Sequence, residues 1–253
     1  MRILGIDIGS RETKFAIMEN EMIVHLESIS TMKFYKEYCT QNEGIIFKDK
    51  FLNYKHFDIK ISTGYGKNNN NLIDFTSINE LKAHCFGALF QTSLKNFTLL
   101  DVGGQDVKVI SVENGNIIDI ELNEKCAASS GRFLENMAAL LEININDLFL
   151  YHKEPFLLSS TCSVFAESEV IGKIAEGVAL ENIYAGINFS LYKKISPIFK
   201  KFDNNICVLT GGVAKNKAFI SFLNNDFNKI VVPEEPQFNG AIGCCYYGKR
   251  SLI

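Results

Sequence analysis

Apolar positions along the chain recur first at a strand period and later at a helix period, and the change divides it into blocks. ILGIDIG (3–9) is a short apolar run closed by glycine, followed by TKFAIM (13–18) and MIVHLESI (22–29), both with strand character. Three such runs with tight connections predict an antiparallel meander. Residues 31–57 are weakly patterned, DIKISTGYG (58–66) reads as a buried strand ending in a glycine turn, and the asparagine run at 68–71 marks a loop. Ser77 and Glu80 have the spacing of a capping box, which predicts a helix start, with Leu81, Cys85, Ala88 and Leu89 on one face. NFTLLDVGG (96–104), QDVKVISV and NIIDIEL predict a second set of strands, two of them joined by a turn at Asn114-Gly115. After residue 126 the period lengthens to about 3.6 residues. Phe133, Met137, Leu140 and Leu141 then share one helical face, Phe165, Val170, Ile171 and Ile174 share another, and 178–201 reads as one long helix. NICVLTGG (205–212) and KIVVP (229–233) return to strand, and QFNGAIGCCYYG (237–248) closes as a helix.

The two strand blocks repeat one pattern. A shift of 94 residues places Asp7 on Asp101, Gly9 on Gly103 and Lys14 on Lys108. Both copies read as strand, Asp-x-Gly turn, strand, which points to a duplicated α/β fold. The halves fall at 1–95 and 96–236, and the helix at about 237–253 is expected to pack back on the first half.

Composition narrows the function classes. At 253 residues, with 47% hydrophobic and 22% charged positions, the chain is long enough for one large or two modest cores. Lys+Arg 26 against Asp+Glu 29 leaves a net charge of -3, without the concentrated basic charge on which nucleic-acid and anionic-membrane binders depend. No apolar stretch approaches the roughly 18–20 residues of a membrane span. Asp7 interrupts the N-terminal apolar run, which therefore reads as a buried strand and not a signal peptide. Seven cysteines, an odd number, argue against a disulfide framework and for free thiols in a reducing cytoplasm.

A single Asp-x-Gly turn carries little information, because both residues populate turns for local reasons. Here there are two, plus Gly211-Gly212, each at the carboxyl end of an apolar strand. Glycine lets backbone amides approach a phosphate closely, and a strand-end aspartate can hold magnesium directly or through water. The chain lacks the Walker G-x-x-x-x-G-K-[ST] and a G-x-G-x-x-G opening a helix. Lys14 and Lys108 either aim at phosphates or face solvent. Asn216 either approaches the nucleotide or caps the helix after it. The four histidines share no metal-binding spacing and read as structural. Glu167 and Glu169 read as ordinary helix carboxylates.

The cysteines fall into two classes. Cys39, Cys85, Cys207, Cys244 and Cys245 lie within expected strands or helices, where cysteine acts as a small hydrophobe. Cys126 and Cys162 each stand just before a helix, where unpaired amides stabilise a thiolate. Two thiols without metal fit that spacing. So does half of a four-cysteine cluster completed across a two-fold dimer.

The Asp-Gly hairpins with a late Gly-Gly resemble the superfamily of sugar kinases, actin and heat-shock ATPases. More specifically, GIDIGSRETK, STGYGK, LDVGGQDVKVI, KCAASSGRFLENMA, SSTCSVFAESEVI, AGIN, TGGVAKN and FNGAIG resemble the ATP-dependent activators of 2-hydroxyacyl-CoA dehydratases, a family that includes the ATPase subunits of benzoyl-CoA reductases. The resemblance implies two duplicated ribonuclease H-like domains, mixed sheets flanked by helices, with a nucleotide cleft between them. It implies ATP and Mg2+ bound through Asp7, Gly9, Ser10, Asp101, Gly103, Gly104 and Gln105, with Asp7, Asp101 and Gln105 serving catalysis. Gly211, Gly212 and Val213 would lie against the adenosine. One [4Fe–4S] cluster shared by a homodimer, with Cys126 and Cys162 as ligands, would be charged by a ferredoxin or flavodoxin. The electron would pass to a partner iron–sulfur dehydratase or reductase, with no nucleic-acid or membrane partner. Lys67 and Ser129 depart from the family pattern, which usually shows arginine and glycine there. A small-molecule kinase of the same superfamily, and a cluster-carrying redox sensor without catalysis, are the competing readings.

Overall fold

Strand β1, Arg2–Ile8, is buried over almost its whole length because both of its faces are covered. Its even positions Leu4, Ile6 and Ile8 pack with Phe15, Ile17, Phe34 and Phe57 in one core layer. Its odd position Ile3 packs with Ala16, Met18, Ala241, Ile242 and Cys245 in the other. Strand period two therefore sends Asp7 to the second layer, alongside Ile3 and Gly5. The arrangement comes from a computed structural model, which describes residues 1–41, 45–48, 56–64, 72–123, 130–160, 162–202 and 205–251. Tyr65, Lys67, Cys126 and Ser129 lie outside the described residues.

Two compact units form, Met1–Leu94 with Gln237–Ile253, and Lys95–Pro236. In the first, β1, β2 (Glu12–Glu19) and β3 (Met22–Ser30) make the expected meander. The weakly patterned stretch holds short elements: α1 (Thr31–Glu37), and the antiparallel pair β4 (Cys39–Gln41) and β5 (Ile45–Phe47). Strands β6 (Ile59–Gly64) and β7 (Thr76–Ser77) complete a mixed sheet in the order β3-β2-β1-β6-β7. Helix α2 (Glu80–Thr92) starts two residues later than the capping box predicted. Asn79 is its N-cap, accepting from the Leu81 amide at 2.9 Å, while Ser77 pairs with Ser62 in the sheet. A residue held in a strand ladder cannot also cap a helix, so the asparagine nearer the turn takes over.

The second unit repeats the plan. Strands β8 (Phe97–Val102), β9 (Val107–Glu113) and β10 (Asn116–Asn123) form a meander, with Asn114 at φ 51° and Gly115 at φ 77° making the predicted tight turn. Helices α3 (Gly131–Leu140), α4 (Ile145–Leu148), α5 (Ser163–Ala175) and α6 (Leu180–Phe199) follow, then β11 (Ile206–Thr210), α7 (Lys217–Leu223) and β12 (Lys229–Val231). The sheet order is β10-β9-β8-β11-β12, the same plan as in the first unit. Phe133 and Met137 are buried as their period predicts. Helix α5 departs from its predicted face: Ala166 and Val170 are buried, but Phe165, Ile171 and Ile174 are 69%, 55% and 39% exposed. Its inward stripe is narrow, and the remaining apolar positions point outward.

The last helix, α8 (Asn239–Arg250), belongs to the first unit and packs on α2 and β1. Glycines set its distance. A Cβ on Gly5 would stand 2.2 Å from the Ala241 carbonyl oxygen, and one on Gly243 would stand 1.8 Å from that of Ala83.

The repeat reaches further than the sequence shift showed. Gly64, ending β6, has φ +123°, and a Cβ there would lie 2.2 Å from the Ile8 carbonyl oxygen. Gly211, just after β11, has φ +85°, with Val102 oxygen at 2.3 Å. Each closes over the end of the strand that carries the Asp-x-Gly turn. Gly64→Ala and Gly211→Ala are each expected to lower the urea midpoint of the unit concerned by the equivalent of about 2 kcal/mol or more, combining strain with a backbone clash. Midpoints equal to wild type would refute this account.

Candidate functional site

Each meander presents its first turn in the same way. Asp7 lies opposite Lys14 in the β1–β2 ladder and Asp101 lies opposite Lys108 in the β8–β9 ladder. The Gly9 amide donates to the Glu12 carbonyl at 3.0 Å, and the Gly103 amide to that of Asp106 at 3.0 Å. Ser10, Gly104 and Gln105 stand exposed at the turns, while the two aspartates are buried.

The hairpins differ in how their carboxylates are balanced. Asp101 accepts from the Thr210 hydroxyl at 2.7 Å and lies 3.6 Å from the Lys108 ammonium, which also meets Asp106 at 2.5 Å. Lys108 is therefore a buried cation between two carboxylates, which removes the solvent-facing reading. Lys14 is half-buried and forms no ion pair with a described residue, so it is the ammonium left available to an anion. The Asp7 carboxylate accepts no hydrogen bond from a described residue. His84 Nε2 lies 3.9 Å from its Oδ2, and the same nitrogen is 3.9 Å from Glu80 Oε1. His84, expected to be merely structural, stands beside a proposed site carboxylate.

The second hairpin is tied to the helix after it. The Ser130 hydroxyl and the Arg132 amide donate to the Gly104 carbonyl, both at 3.0 Å, and the Gly131 amide donates to that of Gly103 at 2.9 Å. A Cβ on Gly131 would sit 3.0 Å from the Gly103 oxygen, so glycine permits this approach. Gly211 donates its amide to the Pro236 carbonyl, and Gly212–Lys215 form a single 3-10 turn. Val213 is buried, so any ligand would meet it through backbone. Asn216 fits the capping alternative. Its oxygen accepts from the Phe219 amide at 2.9 Å, and its nitrogen donates to Asn188 Oδ1 at 2.8 Å.

Cys162 is the N-cap of α5, exposed, with no side-chain capping bond. Large apolar side chains stand exposed around its helix: Leu157, Val164, Phe165 and Ile171 at 66%, 65%, 69% and 55%. The segment before it is held by Glu169, whose carboxylate accepts from the Ser159 amide and hydroxyl and the Ser160 amide at 2.8–3.0 Å. Desolvation works against ionisation of Glu169, but the bonds from the two serines together hold its carboxyl below its ordinary value. The remaining cysteines behave differently. Burial pushes the Cys39 and Cys85 thiols up to about 11 and Cys245 up to about 12, and raises Cys207 and Cys244 as well. At neutral pH these five stay protonated, as small hydrophobes and not as ligands.

The profile of the BadF/BadG/BcrA/BcrD ATPase family matches residues 4–248. The chain belongs to this family. The 2-hydroxyisocaproyl-CoA dehydratase activator of Clostridioides difficile is 37% identical over 98% of this chain and 94% of its own. The (R)-2-hydroxyglutaryl-CoA dehydratase activating ATPase of Acidaminococcus fermentans is 33% identical over 98% and 96%. A solved structure of the Clostridium difficile activator, with bound ADPNP, superposes with a TM-score of 0.84, covering 100% of this chain and 97% of that one. Likeness to a ROK family glucokinase from Streptomyces griseus, at TM-score 0.60 and 9% identity, shows the shared fold alone. Among the described residues of this family member, no helix is long and apolar enough to cross a membrane.

Sequence reasoning gave no site role to Glu80, His84, Gly131 or Glu169. Glu80 and His84 had one usable signal, an acid and a histidine four apart at a helix start. Gly131 and Glu169 had none, because their roles depend on distant backbone.

Removing a buried cation while leaving its carboxylates in place costs about 3–5 kcal/mol. Lys108→Met should therefore destabilise the second unit by about that much, whereas Lys14→Met should change stability by less than about 1 kcal/mol and weaken nucleotide binding. Denaturant unfolding beside nucleotide calorimetry reads both, and equal stabilities would contradict the assignment of Lys108. A carboxyl that ionises below its ordinary range contributes stability that is present at neutral pH and lost as pH falls through its folded value. Hydrogen exchange at Ser159 and Ser160, corrected for intrinsic rate, should accelerate in acid in wild type and be fast already at pH 7 in Glu169→Gln. Equal protection in the two proteins would remove the clamp.

Proposed function

We propose that the chain is an ATP-hydrolysing iron–sulfur activator, passing an electron to a partner 2-hydroxyacyl-CoA dehydratase or related CoA-ester reductase. The observation that carries this reading is the set of bonds from Ser130, Gly131 and Arg132 to the Gly103 and Gly104 carbonyls. Cys126 lies a few residues before Ser130 in the chain. Any shift of the second hairpin on binding or losing a phosphate is therefore felt at the start of α3, on the segment that carries this cysteine. The activator names of the full-length relatives support the same conclusion.

In this reading Asp7, Gly9, Ser10, Lys14, Asp101, Gly103, Gly104 and Gln105 serve the nucleotide phosphates. Gly211, Gly212 and Val213 offer backbone to the adenosine. Asn216 supports that turn as a buried cap. Asp7 and Asp101 are the carboxylates suited to Mg2+, a hard cation. Hydrolysis then needs little beyond positioning and charge neutralisation.

Cys162 fits a cluster ligand: an exposed thiol at a helix start, with its own capping role unfilled. With Cys126, one chain supplies two of the four thiolates that a [4Fe–4S] cluster takes, and a homodimer supplies four. The exposed apolar side chains of α5 suit a face covered by a second copy. When bound, the cluster supplies the one electron, received from a ferredoxin or flavodoxin. ATP can drive the transfer only through different affinities for two arrangements of the chain.

Oxygen-free purification followed by iron, sulfide and EPR measurement tests the proposal. About two irons and two sulfides per chain are expected, lost in Cys126→Ser and Cys162→Ser, with ATP-dependent electron delivery to an added acceptor dehydratase. Absence of iron, or ATP turnover that requires a metabolite acceptor and ignores Cys126→Ser, would leave a kinase in its place. Iron without ATP-dependent delivery would leave a sensor.

A further inference from the structure

Three ligand-bearing side chains converge at the carboxyl end of β1. Glu80 and His84 stand one turn apart on α2 and so project from the same face. Asp7 meets them from the strand, and one ligand atom from each of the three lies within 4.8 Å of the others. Asp7 and His84 are 5% and 7% exposed. A further observation points to a ligand at this place. The Asp7 carboxylate is more than nine-tenths buried, yet no described residue donates a hydrogen bond to it, whereas its counterpart Asp101 has Thr210 and Lys108. Gly240, in the first turn of α8, lets the helix backbone lie directly against both ligand atoms, where any larger residue would collide with them. A Cβ there would stand 2.4 Å from Asp7 Oδ2 and 3.1 Å from His84 Nε2.

We propose that Asp7, Glu80 and His84 form a binding site for a divalent first-row transition cation, filled before any nucleotide arrives. Two carboxylate oxygens and one imidazole nitrogen suit Mn2+ or its neighbours, and no thiolate takes part. Bonds of about 2.0–2.2 Å require the ligand atoms to close by several tenths of an ångström from the present 3.9 Å. Glu80, half-exposed on the first turn of its helix, is the ligand that would make most of that movement. A divalent charge between two carboxylates compensates the burial of Asp7, which His84 alone at 3.9 Å does weakly. The inference deepens the nucleotide-site reading, because Asp7 also belongs to the first hairpin, but cation uptake itself requires no nucleotide.

The test is an EPR titration of the chelator-stripped, nucleotide-free full chain with Mn2+ alone, an ion that leaves Cys126 and Cys162 aside. One Mn2+ per chain is expected, with nitrogen coupling from imidazole in the spin-echo spectrum of the bound ion. Glu80→Gln and His84→Gln should each weaken uptake by about tenfold or more. Gly240→Ala, which presses a methyl group against Asp7 and His84 without removing a ligand, should weaken it too. Absence of uptake by wild type, absence of nitrogen coupling, or unchanged uptake in both ligand variants would overturn the proposal. The wild-type spectrum needs no variant and so stands even if one folds poorly. A chain that takes up Mn2+ but binds no ATP in calorimetry keeps this site and loses the nucleotide reading, and the reverse result does the opposite.

Discussion

A carboxylate at the end of a buried strand must find compensation within reach, and much of this molecule is arranged around that need. Strand period two sends Asp7 to the side of β1 covered by α8, and Asp101 ends the corresponding strand of the second unit. Around Asp101 the second unit builds its own answer from Thr210 and Lys108. Around Asp7 the first unit brings a histidine, a second carboxylate and a glycine whose backbone packs against it. Duplication preserved the backbone, and the polar surroundings diverged. An isolated buried charge is costly enough that each hairpin has to settle the matter differently.

The second consequence concerns coupling. Backbone carbonyls at a turn and unpaired amides at a helix start satisfy one another, so Gly103, Gly104 and the first residues of α3 form one hydrogen-bonded body. Glycine at 131 is what lets them approach. Such a body is stiff, and a displacement at one end is transmitted to the other. The α5 end is organised separately, through Glu169 and the two serines before Cys162. The segment before Cys162 is thus positioned by its own helix.

How much could be read in advance depended on how local the cause was. The meanders, the Asn114-Gly115 turn, the long α6 and the duplicated hairpins follow from period and turn chemistry over a few residues, and they stand where the pattern put them. Where two local signals competed, as Ser77 and Asn79 did for the α2 cap, the sheet ladder chose. Where a helix was apolar on more than one side, period alone misplaced the buried face. Phe165 and Ile171 are outside and Ala166 is inside.

The amino-acid order by itself determined the elements, the repeat and the chemical character of its turns, because strand and helix periods, glycine and aspartate act through neighbours in the chain. Only the tertiary structure decided which charges meet. Lys14 and Lys108 occupy equivalent positions, yet one is bound between carboxylates and the other is not. His84 and Asp7 are 77 residues apart in sequence and adjacent in space. Electrostatic compensation falls off over a few ångströms, so it is set by which segments pack together, and packing joins positions that no local pattern relates.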